Sequence, residues 1–505
     1  MEKYLLGIDV GSTSVKAVLF DTKGNVISSA SAHNEREQTS DRIHGFEIFN
    51  VENVWKSTYT CVNETIEKSK IESNRIAALS VCSFGNGVVI LDKNGNPADK
   101  GAFSQDYRAN HIIEQYKKEG KLDKINEIIK GTLFAGEPAP ILRWYKENEP
   151  EIYNNIGSVL MCKDYIIYKL TGALSADVNC FGGSAMLDLE TRNYSKELMH
   201  LYGIDEMYYC LPKLLESYEV AGTVTSDASK LTSLAQGTPV VSGMMDILAG
   251  LVGAGAADEG IVTIIAGTWC INEIQSHKII PGASANQPAL GKNLYLNCSY
   301  TGASAVNYEW FAKALGGTAI MESKVRSMSK FDILNELVAT VSPNEAQVLF
   351  HPFVAQPSVH PNARASFFNI DQNTSYAEMA YAVMEGVVFL HKKHIDFLKN
   401  AGHKITLGRL TGGGARSSVW AQMFADVLKI PIEVVDCQEV SALGAAINAG
   451  VGTGVYSDYN DGFAKAIRIK STFASSEKYA DAYYKRYKEW EYLIDCMSEH
   501  WNYRQ

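Results

Sequence analysis

Apolar positions open this chain in short blocks separated by turn residues, not in helical stripes. LLGIDV runs into a small-residue loop, GSTS; VKAVLFD is again β-branched and apolar; DTKGN is a turn; and VISSA resumes the strand pattern. Short apolar runs bounded by Gly, Asn and Asp clusters read as strands joined by tight turns. The first thirty residues therefore predict an antiparallel meander and not a strand feeding a helix. The period changes over residues 51–69, VENVWKSTYTCVNETIEKS, where Val51, Val54, Trp55 and Val62 share one side of a helix. IAALSVCSF and VVILD return to the strand pattern, with KNGN as a second turn. Residues 139–170 predict helix in two pieces, split near Glu149-Pro150.

The apolar strand GTPVVSGMMD leads to a Gly-rich segment, AGLVGAGAADEG, from Ala249 to Gly260. The main boundary is expected there, giving domains 1–253 and 254–505. GIVTIIAGTWCINEIQ then repeats the theme of strand, small-residue turn and strand. A long helix is expected from Tyr376 to Asn400, then the strand ITLGRLTGG, then a helix from near Ser418, SSVWAQMFADVLK. The tail from Glu477 to Trp501 predicts an amphipathic helix packed on a domain surface, with Tyr479, Tyr483 and Tyr487 as its packing stripe. FGGS, from Phe181 to Ser184, reads as a loop. Two α/β domains, each begun by a β-meander and separated by a cleft, follow from this pattern.

At 505 residues the chain exceeds one ordinary hydrophobic core, so two or more domains are required. A net charge of −10 with no basic block argues against nucleic-acid or anionic-membrane partners. Nine cysteines lie singly, without metal or disulfide spacing. Cys82, Cys162 and Cys270 sit in apolar surroundings and are expected to be buried thiols. No run reaches the roughly 18 apolar residues of a membrane span, and MEKYLLGIDVG is too soon broken by Asp9 for a signal peptide. These features predict a cytoplasmic protein.

The first loop carries the candidate chemistry. It has neither the GK[ST] ending of a P-loop nor the GxGxxG of a dinucleotide site, and strand follows where both need a helix. What remains is a hairpin whose N–H and hydroxyl groups, at Gly11, Ser12, Thr13 and Ser14, can face a phosphate. Asp9 would sit at the loop mouth, where a carboxylate could hold Mg²⁺ directly or through water. Lys16 could neutralise a transferred phosphoryl group. A plain surface hairpin is the alternative. Two further small-residue turns after apolar strands, AGTW (Ala266 to Trp269) and LTGGGARSS (Leu410 to Ser418), favour a nucleotide cradled between two domains.

The ordered set of segments resembles the FGGY carbohydrate kinases, from about residue 4 to residue 456. GIDVGSTSVKAVLFD, GTPVVSGMMD with AGLVGAGA, AGTW, PNARASFFNI, VMEGVVF, TGGGARSSVWAQMFADVL and ALGAAINAG follow in the family's order. SQDYRA and ILRWYKENEPEIYNNIG look most like the xylulose-kinase branch, particularly its L-xylulose kinases. The resemblance implies two ribonuclease H-like, actin/hexokinase-type α/β domains flanking a cleft. It implies ATP and Mg²⁺ as cofactors, a small-molecule sugar as substrate, and is compatible with a homodimer.

Carried over residue by residue, the resemblance makes Asp246 the general base, against the alternative of a solvated or helix-capping aspartate. It gives Asp9 the metal, and Lys16 with Ser12 to Ser14 the β- and γ-phosphates. Gly267 and Thr268 would contact the γ-phosphate. Gly412, Gly413, Gly414 and Ser417 would line the α-phosphate and adenosine, with Ala305 nearby. For Gly414 and Ser417 ordinary turn chemistry competes closely. The sugar pocket would hold Asn86, Gly87, Asp106, Arg108 and Phe134. Here the pattern frays: Asn86-Gly87 replaces part of a Met-His-Gly, Ser104 stands in place of tryptophan, and Gln356-Pro357-Ser358 replaces Glu-Arg-Thr. Asp106 and Arg108 would serve equally as a structural ion pair. His391 and His394, three apart on a helix, have no carboxylate spaced for a metal and predict a solvated or packed face.

The expected reaction is phosphorylation of a ketopentose such as xylulose. Glycerol-, gluconate- or ribulose-type kinases are alternatives within the family. An actin- or chaperone-like ATPase without sugar kinase activity, and a sugar-binding regulator, are the alternatives from other classes.

Overall fold

The computed structural model describes residues 2–34, 45–355 and 359–503. The Gln356-Pro357-Ser358 departure falls outside these residues. The chain forms two compact units. The first comprises Met1–Ala257, Gln275–Asn297 and Cys437–Ile467; the second comprises Asp258–Ile274, Cys298–Asp436 and Arg468–Gln505. The break near residue 257 lies beside the expected boundary, while residues 275–297 and 437–467 return to the first unit.

In the first unit β1 (Tyr4–Val10), β2 (Ser14–Asp21) and β3 (Val26–His33) form the expected meander, followed by α1 (Val51–Ser69) capped by the Asn50 side chain. β4 (Ile76–Ser83), β5 (Val220–Thr223) and β6 (Pro239–Met245) complete a sheet of order β5-β6-β4-β1-β2-β3. β1, β4 and β6 run parallel, so their carboxyl ends share one edge. Ligands of open α/β sheets gather at that edge.

Residues 139–170 depart from the expected pair of helices. α2 (Pro138–Asn148) ends at Pro150, which opens a five-residue helix, and a strand, Ile156–Leu160, precedes α3 (Cys162–Thr171). That strand pairs antiparallel with Val89–Asp92. Five residues rich in apolar side chains are too few to show which period they follow. FGGS is not a loop: its first three residues end the short helix α4 (Val178–Gly183), capped by Asp177. The Gly-rich stretch at the boundary is likewise half helical, since α5 (Asp246–Gly253) runs through it.

A second sheet repeats the plan. β7 (Ile261–Ala266), β8 (Cys270–Ser276), β9 (Gly291–Thr301), β10 (Leu407–Thr411), β11 (Ile432–Val435) and β12 (Ile469–Phe473) lie in the order β12-β11-β10-β7-β8-β9. β7 and β8 form a hairpin, and β10 and β11 run parallel to β7. α6 (Tyr376–Asn400) and α7 (Ser418–Leu428) form as expected.

α8 (Val440–Gly452) packs in the first unit. A Cβ on Gly7 would fall 1.9 Å from the Ala442 carbonyl, and one on Gly444 equally close, 1.9 Å, to that of Ala249, so glycine sets how near α8 approaches β1 and α5. The tail, α9 (Ala480–Tyr503), is fixed in the second unit by a buried ion pair of Arg486 with Glu385 of α6. Tyr483 and Tyr487 are buried as expected; Tyr479 lies in the turn before the helix.

All nine cysteines are free, with Cys82, Cys162 and Cys270 buried. No helix among the described residues is long and apolar enough to cross a membrane.

Candidate active site

In the first unit two carboxylates stand at the ends of the two strands that flank β4. Asp9 is the penultimate residue of β1 and pairs in register with Cys82 of β4; Asp246 directly follows Met245, which pairs with Ser83. Loss of water, opposed by Lys16 and reinforced by Glu439, raises Asp9 to about 6. Loss of water, reinforced by the Asp9 charge, raises Asp246 to about 7. Both residues are only partly buried. A carboxylate poised near neutrality is suited to take a proton at working pH.

The hairpin loop is held from behind. Gly11 N–H donates to Ser14 O (2.9 Å), Asn34 N–H to Thr13 O (2.8 Å) and Asn34 Nδ2 to Gly11 O (2.9 Å). Lys16, opposite Asp9 in the β1–β2 register, is engaged by Glu439 at 2.7 Å. Glu439 gives no local sequence signal, lying 423 residues away.

The residues expected around the sugar fall into two groups. Asn86 and Gly87 both adopt left-handed backbone, φ 61° and 66°, in the loop after β4. Gly87 N–H donates to Gly136 O at 2.8 Å, which brings Phe134 and Gly136 beside that loop. The Asn86 amide donates to Ser184 Oγ, and its own buried Oδ1 has no partner among the described residues. Asp106 and Arg108 instead pair with each other: Nε and Nη2 of Arg108 reach the two carboxylate oxygens at 2.9 and 2.7 Å, and the backbone N–H groups of Arg108 and Glu47 add two further bonds. Arg108 also stacks 4.1 Å over Phe46. Both side chains are buried.

Ser184 and Glu137 are additions that sequence reasoning missed. Glu137, beside Gly136, accepts one bond from Phe134 N–H, and burial raises it to about 8.

The second unit gathers its expected residues at one sheet edge. β7 and β10 are parallel, with Ile265 opposite Thr411, so the turns that follow them adjoin. Gly412 has φ 80°, and a Cβ there would lie 2.9 Å from Ala266 C and O. Ala305 N–H donates to Gly267 O (2.7 Å) and Ser304 N–H to Thr268 O (3.1 Å). Gly267, Thr268, Ala305, Gly412 and Gly413 thus lie together around glycine-permitted backbone. Gly414 packs against Ala266 and Trp420, and Ser417 Oγ accepts from Trp420 N–H as the cap of α7. Turn and cap chemistry accounts for both.

The two histidines belong to the packed alternative. His391 is buried between Asn272 Oδ1 (2.8 Å) and Ser304 Oγ (2.9 Å), and burial lowers it to about 3. It therefore holds the Ser304 side chain as a neutral ring. His394 bonds Ser299 Oγ at 2.8 Å. No group of three or more metal-binding side chains occurs among the described residues.

Comparison with known proteins fixes the class. The N-terminal domain of the FGGY family of carbohydrate kinases matches residues 4–253, and its C-terminal domain matches residues 262–453. A probable L-xylulose kinase of Pasteurella multocida is 30% identical, over 90% of this chain and 92% of that one. The L-xylulose/3-keto-L-gulonate kinase of Escherichia coli is 28% identical over 98% of each. A solved ligand-bound xylulose kinase from Lactobacillus acidophilus shares the fold at TM-score 0.89 and 22% identity, covering 100% of both chains. These matches do not favour the ATPase or regulator alternatives.

Proposed function

Because this chain belongs to the FGGY family of carbohydrate kinases, we propose that it moves the γ-phosphoryl group of ATP to a hydroxyl of a ketopentose such as xylulose, with Asp246 as the base. The observation that carries the reading is Asp246 at the end of β6, raised to about 7 by burial and by Asp9. As the sugar oxygen attacks phosphorus, its proton passes to an Asp246 carboxylate oxygen; the bond to the β-phosphate oxygen breaks and ADP leaves. In this reading Asn86 with its unpartnered Oδ1, Gly87 and Phe134 receive the sugar. Gly11 to Ser14 and Lys16 meet the β- and γ-phosphates. Gly267, Thr268, Ala305, Gly412 and Gly413 hold the nucleotide, with Gly414 and Ser417 shaping the turn.

Mg²⁺ fits the residues present. Asp9 is a partly exposed oxygen donor whose ionised form is disfavoured by burial and by the Glu439 charge, and a divalent cation would offset both. Asp9 would hold the ion, which when bound supplies charge neutralisation at the phosphates. Nine free thiols support a cytoplasmic location.

The names of the relatives support a ketopentose over glycerol or gluconate. Coupled ADP release over L- and D-xylulose, L-ribulose, 3-keto-L-gulonate, glycerol and gluconate tests this choice. The highest kcat/KM is expected for a xylulose. Release with glycerol or gluconate alone would overturn the substrate, and sugar-independent release throughout would overturn the kinase reading of the site.

A further inference from the structure

The strand that delivers Asp246 is irregular immediately before it. β6 pairs Val241 with Ser80 and then Met244 with Cys82, so Ser242 and Gly243 together face Val81. This is a β-bulge, a device that bends a strand and re-aims the side chains beyond it. Gly243 has φ 78°, and a Cβ there would fall 2.0 Å from Val81 O. The bulge sends its amides to one neighbour: Ser242 N–H donates to Glu219 O and Gly243 N–H to Ser217 O, at 2.8 and 3.0 Å.

The groups left over are taken by buried side chains from α3 and α4. Lys163 Nζ donates to Ser242 O at 2.9 Å. Asn179 Oδ1 accepts from Met245 N–H, the amide directly before Asp246, at 3.0 Å. Asp177 joins these two holds, with Oδ1 2.9 Å from Lys163 Nζ and Oδ2 accepting from Asn179 N–H at 2.9 Å. Asn179 is anchored in turn by its Nδ2, which donates to Gln287 Oε1 and Pro288 O at 3.1 and 2.8 Å. Lys163, Asp177 and Asn179 each have 0% of their surface exposed. A fully buried Lys–Asp pair is costly to assemble, and swapping such a pair for apolar residues is often neutral or stabilising. Its placement on a bulge three residues from the base calls for a reason other than stability.

We infer that Lys163, Asp177 and Asn179 form a strap that fixes the β6 bulge and so aims the Asp246 carboxylate, Asn179 being its positioning residue. The inference rests on Asp246 as the base. Burial works against the Lys163 charge, but Asp164 and Asp177 more than reverse that and hold it well above the ordinary lysine value. Asn179 matters most to aim because it holds the peptide unit adjoining the base. Without it that amide loses its partner, and the first turn of α5 can rotate. An error of about 1 Å in a catalytic group lowers rate by up to about 10²-fold.

The test compares Asn179→Ala with Ser217→Ala. The second removes another bond to Asp177, from Ser217 Oγ at 3.0 Å, without touching β6 through a side chain. With L-xylulose as acceptor, Asn179→Ala is expected to lower kcat about 10- to 100-fold with KM nearly unchanged, the signature of an interaction that matters in the transition state. Ser217→Ala should stay within about twofold at a similar melting temperature. Asn179→Asp keeps an acceptor for Met245 N–H and should recover part of the loss. It also serves where the alanine variant does not fold: a higher kcat in Asn179→Asp than in Asn179→Ser, with faster hydrogen exchange over residues 242–247 in Asn179→Ser than in Ser217→Ala, supports the strap. Wild-type kcat in Asn179→Ala, equal losses in Ser217→Ala, or unchanged exchange in Asn179→Ser would overturn it. If wild type ignores both L- and D-xylulose, the substrate reading fails, while the exchange comparison still decides the strap.

Discussion

The two units use one strand plan for different chemistry. Each begins with a hairpin, β1–β2 or β7–β8, and places two parallel strands beside its first strand, β4 and β6 or β10 and β11. At matching register the first unit pairs Asp9 with Lys16, whereas the second pairs Ile265 with Ile271. The last parallel strand is followed by Asp246 in one unit and by Asp436 in the other, but Asp436 is exposed. Charge lies at the first sheet edge, and glycine-permitted backbone at the second. Building the same edge twice puts groups that ionise at one copy and closely approached glycine backbone at the other.

The largest expected effect breaks the symmetry of the two aspartates. Asp246→Asn should lower sugar-dependent kcat by roughly 10²–10⁴-fold, the usual range for loss of a general base. Asp436→Asn, at the matching place, should leave kcat within about twofold. Steady-state ADP release checks both, and normal turnover in Asp246→Asn would remove its assigned role.

Next come the glycines. A Cβ at Gly412 would meet Ala266 at 2.9 Å with φ 80°, while at Gly11 it would only reach Ser14 O at 3.0 Å without a positive φ. Gly412→Ala should therefore cost about 1–3 kcal/mol of local strain and raise KM for ATP by about tenfold. Gly11→Ala should cost clearly less in melting temperature. Equal losses would show that the two edges do not differ in how much they depend on glycine backbone.

Much of this arrangement is legible in the sequence because it is local. The hairpins follow from strand blocks and turn residues, and Asp246 from its place after an apolar strand. What escaped is long-range or too short to carry a period. α4 has six residues, two of them glycine, so FGGS looked like loop and Asn179 gave no signal. The strand Ile156–Leu160 hid between helices for the same reason. Residues 437–467 pack in the first unit, although nothing between β11 and α8 announces a return there. Asp106 and Arg108 match the family's spacing, but only the structure shows that they form an ion pair with each other.

A smaller effect concerns stability. Asp246 is raised from an ordinary 3.8 to about 7. Below about pH 4 both folded and unfolded forms bind the proton and nothing changes. As pH rises to 7 the unfolded chain ionises more readily, so folding loses free energy across that window. Asp246→Asn escapes this loss. Its melting temperature relative to wild type should rise between pH 5 and pH 8, by a few degrees. The matching Asp436→Asn should show no such trend. The same titration predicts that wild-type kcat/KM rises with pH through about 7, because the base must be ionised.

The smallest effect belongs to the ion pair that only the first unit carries. Lys16 and Glu439 meet at 2.7 Å but keep 38% and 30% of their side-chain surface exposed, so the pair contributes no more than about 1 kcal/mol. A pair this weak can open when a phosphate competes for the lysine. Glu439→Gln removes the competitor and also removes one of the charges that raise Asp9. KM for ATP should fall about two- to threefold in this variant, with kcat and melting temperature almost unchanged. A rise in KM would mean that Glu439 holds Lys16 in its working position, and the pair would then be part of the phosphate edge instead of a rival to it.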